Sequence, residues 1–198
     1  MPTTIIPGFA DPILSAQSSF RAIMDAIARP GMIVALTESV TAPRPLSRAA
    51  AIVALTLCDQ DTPVWLDAGL AAPEVAYWLR FHTGAPITSE PQRAAFGFLA
   101  DPQNAPAFAA FAQGTAEYPD RSSTLILQVK SLEDGPSLAL CGPGVKGQST
   151  LRARPLPQDF VRRLAANRAL FPRGVDLLLV TDTAIAALPR SVRLVGEP

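Results

Sequence analysis

Residues 114–141 read GTAEYPDRSSTLILQVKSLEDGPSLALC, and residues 170–194 read LFPRGVDLLLVTDTAIAALPRSVRL. Within them, 124–129, 137–141, 175–181 and 192–195 are short apolar runs bounded by Gly, Pro or Asp. Runs of that length and boundary chemistry predict buried strands. Residues 159–170 lie between two of these runs and read as an amphipathic helix.

Upstream, the first firm element is a helix opening at Asp11. Asp11 suits the cap and Pro12 the first turn, and Ile13, Phe20, Ile23, Met24 and Ile27 recur at helical spacing until Arg29, Pro30 and Gly31 end it. A strand over 32–36 and a loop at Pro43 and Pro45 follow. Residues 49–58 form an almost wholly apolar run, long enough for a buried helix. The turn DQDTP (59–63) leads to a short strand over 64–66, and Pro73 opens a helix carrying Val75, Trp78, Leu79 and His82. Residues 93–99 read as a strand and 106–113, rich in Ala and Phe, as a helix ended by Gly114. This succession predicts a three-layer α/β arrangement. No repeat or linker divides the chain, so one domain over 1–198 is expected.

Composition narrows the function classes. The chain is 48% hydrophobic and 17% charged with zero net charge, and its basic residues are scattered. Such a chain folds and offers no electrostatic footprint for nucleic acid. No apolar run reaches the roughly 18 residues of a membrane span. The opening MPTTIIPGFADP has neither the basic nor the apolar region of a signal peptide, which predicts a cytoplasmic location. Cys58 and Cys141 sit in apolar stretches without ligand spacing and read as reduced core thiols.

Several motifs approach known chemistry without completing it. Gly142, Gly144 and Gly147 spell the GxGxxG of dinucleotide-binding turns. That motif requires a helix directly after it, and LRARPLP (151–157) has two prolines and little periodicity. The same residues approach a phosphate-binding loop, with Ser149 where the hydroxyl belongs, but Gln148 replaces the lysine. The plain reading is a glycine turn after a strand. His82 is the only histidine, which excludes a histidine-rich metal site. Asp59 and Asp61 read as a solvated turn. A Schiff-base lysine has only Lys130 and Lys146 to draw on, since every other basic residue is an arginine. That arginine skew fits a biased genome composition. It also supplies planar forks for phosphate or carboxylate.

Taken in order, GFADPILSAQSSFRAIMDAIARPG, LTLCDQDTPVWLD, LRFHTGAPI, GTAEYPDRSSTLILQV, LCGPG, LFPRGVDLLLV and ALPRSVRL resemble the PhnH family of the bacterial carbon-phosphorus lyase system. The likeness spans nearly the whole chain. It implies a mixed central sheet like that of the large domain of pyridoxal phosphate-dependent transferases, without the cofactor. It also implies a core complex with PhnG, PhnI and PhnJ subunits and a homodimer when isolated. That system displaces adenine from ATP to make a ribose 1-phosphonate 5-triphosphate, with the nucleosidase chemistry attributed to PhnI. The family's recurrent segments include no assigned catalytic residue, so none is carried over and no metal or cofactor is expected. The expected role is a subunit that lends surface more than chemistry. The alternative is a binder of, or enzyme acting on, a phosphorylated ligand held by Arg29, Arg80, Arg121, Arg173 or Arg190 near chain turns. The plainer reading of each is a salt-bridge or interface residue.

Overall fold

Two leucine-rich strands set the architecture. In the computed structural model, which describes residues 6–196, β5 (Thr124–Gln128) and β8 (Asp176–Val180) pair in parallel from Thr124 opposite Asp176 to Gln128 opposite Val180. Side chains alternate across a strand, so Leu125, Leu127, Leu177 and Leu179 point to one face and Ile126, Leu178 and Val180 to the other. All are buried. Both faces of this parallel pair therefore need cover, as is general for parallel sheets.

The remaining elements are α1 (Pro12–Ala28), β1 (Val34–Ala35), α2 (Arg48–Leu57), β2 (Val64–Leu66), α3 (Pro73–Thr83), β3 (Ile87–Thr88), β4 (Phe96–Leu99), β6 (Ser137–Cys141), β7 (Ser149–Arg152), α4 (Phe160–Arg168), β9 (Ala184–Leu188) and β10 (Arg193–Leu194). The large sheet has seven strands in the order β1-β9-β8-β5-β4-β2-β3. Strands β2, β3, β4, β5 and β8 run parallel, while β9 is antiparallel to both β8 and β1, so the sheet is mixed. One face packs on α1, α2 and α3 through Ile23, Ile52, Val75, Trp78 and Leu79. The other face packs on α4 and on a separate three-stranded antiparallel sheet, order β10-β6-β7, through Leu138, Leu140, Leu151, Phe160 and Leu164. Burying each such aliphatic side chain contributes roughly 1.5–3 kcal/mol.

Helix α2 shows why an unbroken apolar run belongs inside. Ala49, Ala50, Ala51, Ile52, Val53 and Ala54 are all fully buried, and Ser47 Oγ accepts the Ala50 N–H at 3.2 Å to close the exposed end of the helix. Helix α1 starts as its sequence predicts, with Asp11 Oδ1 accepting the N–H groups of Ile13 and Leu14 at 3.1 and 3.0 Å. Its apolar repeat is divided between two surfaces. Ile23 is buried and Ile27 half-buried, whereas Ile13, Phe20 and Met24 face outward.

Other expectations need correction. Residues 106–113 are not a helix. Only the short 3-10 turn Phe108–Ala110 forms there, because Gln113 Nε2 donates to the Phe108 and Phe111 carbonyls at 2.7 and 2.8 Å and folds the segment onto itself. Both rings then plug the sheet face. The strand expected over 32–36 shrinks to Val34–Ala35, and the one over 93–99 begins at Phe96, after a 3-10 turn at Pro91–Arg93. Strands β3, β7 and β9 have no counterpart in the sequence reading. Among the described residues, no helix is long and apolar enough to cross a membrane.

The glycine turn serves packing. Gly142, Gly144 and Gly147 all adopt positive φ, and β7 follows them where a nucleotide-binding turn needs a helix. A Cβ on Gly144 would lie 2.2 Å from the Ala28 carbonyl oxygen at the end of α1, and one on Gly142 would lie 3.2 Å from the Ser191 carbonyl oxygen. The turn is thus clamped between the end of α1 and the chain after β9. Gly147 has open space around it. Gly147→Ala should therefore cost only the left-handed backbone penalty of about 1–2 kcal/mol. Gly144→Ala should cost distinctly more, because backbone must shift as well. Urea denaturation of the two variants checks this, and equal losses would contradict the clamp.

Candidate functional site

In open α/β sheets, ligands usually bind beyond the carboxyl ends of the parallel strands. Here those ends are tied to the protein itself. After β2, Asp67 accepts the Leu70 N–H through Oδ1 at 2.9 Å and the Asp101 N–H through Oδ2 at 3.0 Å, joining the loops that leave β2 and β4. At the end of β5, Gln128 Oε1 accepts the Ser47 N–H at 2.6 Å and its Nε2 donates to the Pro45 carbonyl at 3.1 Å. After β8, Asp182 Oδ1 accepts the Arg48 N–H at 3.1 Å, and Arg48 Nε donates back to the Asp182 carbonyl at 3.2 Å. A helix N-terminus attracts anions through its free N–H groups. At α2 the Asp182 carboxylate already fills that role.

The amino ends of β5 and β8 are gathered by Arg190, which follows β9. Asp176 Oδ1 accepts both the backbone N–H and the Nε–H of Arg190, at 2.8 and 3.1 Å. Arg190 Nη2 donates to Asp176 Oδ2 and to Ser122 Oγ. Nη1 donates to the Pro119 carbonyl at 2.6 Å and to that of Pro172 at 3.5 Å. The Arg190 side chain is only 14% exposed, and that of Asp176 29%. One planar fork thereby holds the hairpin of β8 and β9 and the loops before β5 and β8.

Of the five arginines singled out in the sequence, three meet in this region. Arg121 stacks over the Tyr118 ring at 4.2 Å, and Arg173 is exposed in the loop that Arg190 grips through Pro172. Arg190 has its donors engaged internally. Arg29 and Arg80 stand elsewhere: Arg29 pairs with Asp25 at 2.8 Å at the end of α1, and Arg80 is exposed on α3. The partners of Arg190 were not foreseen, although Asp176 opens β8 and Arg190 stands just beyond β9, a spacing that suits a pair across a hairpin.

His82 contacts the chain's own backbone. Its Nε2 lies 2.9 Å from the Ile6 carbonyl oxygen, to which Trp78 Nε1 also donates at 2.9 Å. Asp59 accepts from the Asp61 N–H and the Thr62 hydroxyl, forming the expected turn. Burial pushes the Cys58 thiol far up, helped by Asp59, so it stays protonated. A hollow of about 520 Å³ lies between Gln103, Asn104, Pro157, Gln158, Asp159 and Arg162. The Asp159 carboxyl there is held below the usual aspartate range by hydrogen bonds from Arg162 and Arg163. Among the described residues, no group of three or more His, Cys, Asp or Glu side chains is placed to hold a metal ion.

The model of the PhnH family, described as bacterial phosphonate metabolism protein, matches residues 7–195. The chain belongs to the PhnH family. It is 47% identical over 189 residues to the alpha-D-ribose 1-methylphosphonate 5-triphosphate synthase subunit PhnH of Rhizobium meliloti, covering 96% of this chain and 94% of that one. It is also 29% identical over 178 residues to the putative C-P lyase subunit protein HtxG of Stutzerimonas stutzeri, covering 90% and 85%. Within this PhnH-family chain, the segments that carried the resemblance meet in space: RPG (29–31) and LCGPG (140–144) touch at the glycine turn, and LPRS (188–191) closes over them and carries Arg190.

The engaged donors of Arg190 predict a structural role. Arg190→Ala should cost about 2–3 kcal/mol, below the roughly 3–5 kcal/mol of a fully buried pair because Asp176 keeps some solvent. Arg190→Lys should recover little, since lysine has no planar fork. Arg80→Ala should stay within about 0.5 kcal/mol. Chemical denaturation of the three variants checks the ranking, and an Arg190→Ala protein as stable as Arg80→Ala would refute it.

Proposed function

We propose that this chain is a non-catalytic subunit of the carbon-phosphorus lyase core complex, acting with PhnG, PhnI and PhnJ in the cytoplasm. In this reading it supports the ATP-dependent activation of alkylphosphonate to ribose 1-phosphonate 5-triphosphate. The observation that carries it is the near full-length likeness to a protein named as a subunit of the corresponding synthase. Internal chemistry lends support. Arg190, Asp67, Gln128 and Asp182 are bonded to the protein's own groups at both ends of the sheet, and the sole histidine holds the N-terminal segment.

The reading includes self-association of the isolated chain, and a sheet domain akin to the large domain of pyridoxal phosphate-dependent transferases without the cofactor. For the latter, the only lysines are Lys130, directly after Val129 at the end of the β5 region, and Lys146, in the glycine turn.

Co-expression with PhnG, PhnI and PhnJ, followed by affinity capture and native mass spectrometry, tests the proposal. Stoichiometric recovery of this chain with its partners is the expected result. A chain that stays apart from all three would overturn it.

A further inference from the structure

An open sheet ends in edges whose outward N–H and C=O groups can pair with a further strand. Among the described residues the edges are β1 and β3 on the large sheet and β7 and β10 on the small one. Three of these carry what keeps an edge from pairing, a charge or a proline. Strand β3 stands between Pro86 and Glu90–Pro91, and Thr88 Oγ1 accepts the Glu90 N–H at 3.1 Å, turning the chain directly after the strand. Strand β7 ends on exposed Arg152, and β10 opens with exposed Arg193. Strand β1 differs. From Met32 to Thr37 the chain reads MIVALT, without charge or proline. Met32 is 42% and Ile33 39% exposed, and Ala35 is exposed beside them.

The pairing of β1 fixes which backbone groups face out. Val34 lies opposite Ile185, and the Leu36 N–H donates to the Thr183 carbonyl at 2.8 Å. Alternate residues bond the neighbour in an antiparallel ladder, so Val34 and Leu36 face β9. The Ile33 carbonyl and both backbone groups of Ala35 therefore point away from β9, and among the described residues no backbone group bonds them. The side chains of Val34 and Leu36 join the core under the helices, and those of Ile33 and Ala35 alternate to the opposite face. Such an edge is completed by an extended chain, whose own N–H and C=O groups meet those of Ile33 and Ala35 while an apolar side chain lies against Ile33. A helix cannot do this, because its backbone groups are bonded within it. Left open, an uncharged edge of this kind is an aggregation hazard, which a strand from a permanent partner removes.

We propose that β1 is a docking edge, on which an extended strand of another subunit adds to the large sheet. The inference rests on the subunit role in the proposed function and gives it a surface. In the complex recovered by co-expression with PhnG, PhnI and PhnJ, deuterium exchange over residues 32–37 should be slower than in the isolated chain by about tenfold or more, because bonded amides are protected. Ala35→Pro removes an N–H that β9 does not use, so it should leave the circular dichroism spectrum unchanged and abolish capture by the partner subunits. Ile33→Lys, which sets a charge on the edge, should do the same. Exchange over 32–37 as fast in the complex as in the isolated chain, or full capture of the folded Ala35→Pro and Ile33→Lys chains, would overturn the docking edge and leave the subunit role standing. Protection that already appears in the isolated chain and grows with its concentration would assign the edge to a second copy and overturn the proposal as well. A parent chain captured by none of the partners would overturn the subunit role and this inference with it.

Discussion

Every layer of this protein answers one constraint: the pair β5 and β8 is apolar on both faces. Leu125, Leu127, Leu177 and Leu179 demand a cover on one side, and Ile126, Leu178 and Val180 demand one on the other. A hairpin protein could not supply both. The chain answers with α4 and the small sheet over the four leucines, and with α1 to α3 over Ile126, Leu178 and Val180. The order of elements along the sequence follows from that division, since the long excursion between β5 and β8 contains β6, β7 and α4, and β10 completes the small sheet after β9. Asn167 seals the return: its amide donates to the Val175 carbonyl at 2.9 Å and accepts the Val175 N–H at 2.8 Å, fixing where β8 begins.

At both ends of the large sheet, polar side chains bond to the protein's own groups. In ligand-binding α/β sheets the crevice beyond the strand ends is left open for substrate. In this PhnH-family chain, the carboxyl ends are knotted by Asp67, Gln128 and Asp182, and the amino ends by Arg190. Such ties rigidify loops that elsewhere move over a substrate. The outside carries exposed arginines such as Arg80 and Arg173 together with the outer apolar stripe of α1.

Much of the fold was legible because it rests on local signals. The cap at Asp11, the buried run of α2 and the leucines of β5 and β8 each declare themselves by residue type and spacing. Strand β9 was hidden because Ala-Ile-Ala-Ala-Leu has little intrinsic strand preference and is held by its antiparallel pairing with β8. The segment around Phe108 and Phe111 looked helical by composition, and the side-chain bonds of Gln113 decided otherwise. For the arginines, sequence placed all five near turns but could not separate Arg190, locked by Asp176, from exposed Arg80 and Arg173. The distinction depends on a partner brought close by hairpin pairing. The apolar repeat of α1 announced the helix, but periodicity reveals that a helix has apolar positions and not which of them a neighbour covers.

The central claim is that this chain contributes surface and no ligand site of its own. Calorimetric titration of the isolated, folded protein with ATP and with methylphosphonate, separately and together, tests it most directly. The account predicts no saturable heat in any of these titrations. Saturable, stoichiometric binding of either ligand, abolished by charge reversal at Arg121 and Arg173, would contradict it and establish a binder of phosphorylated ligands.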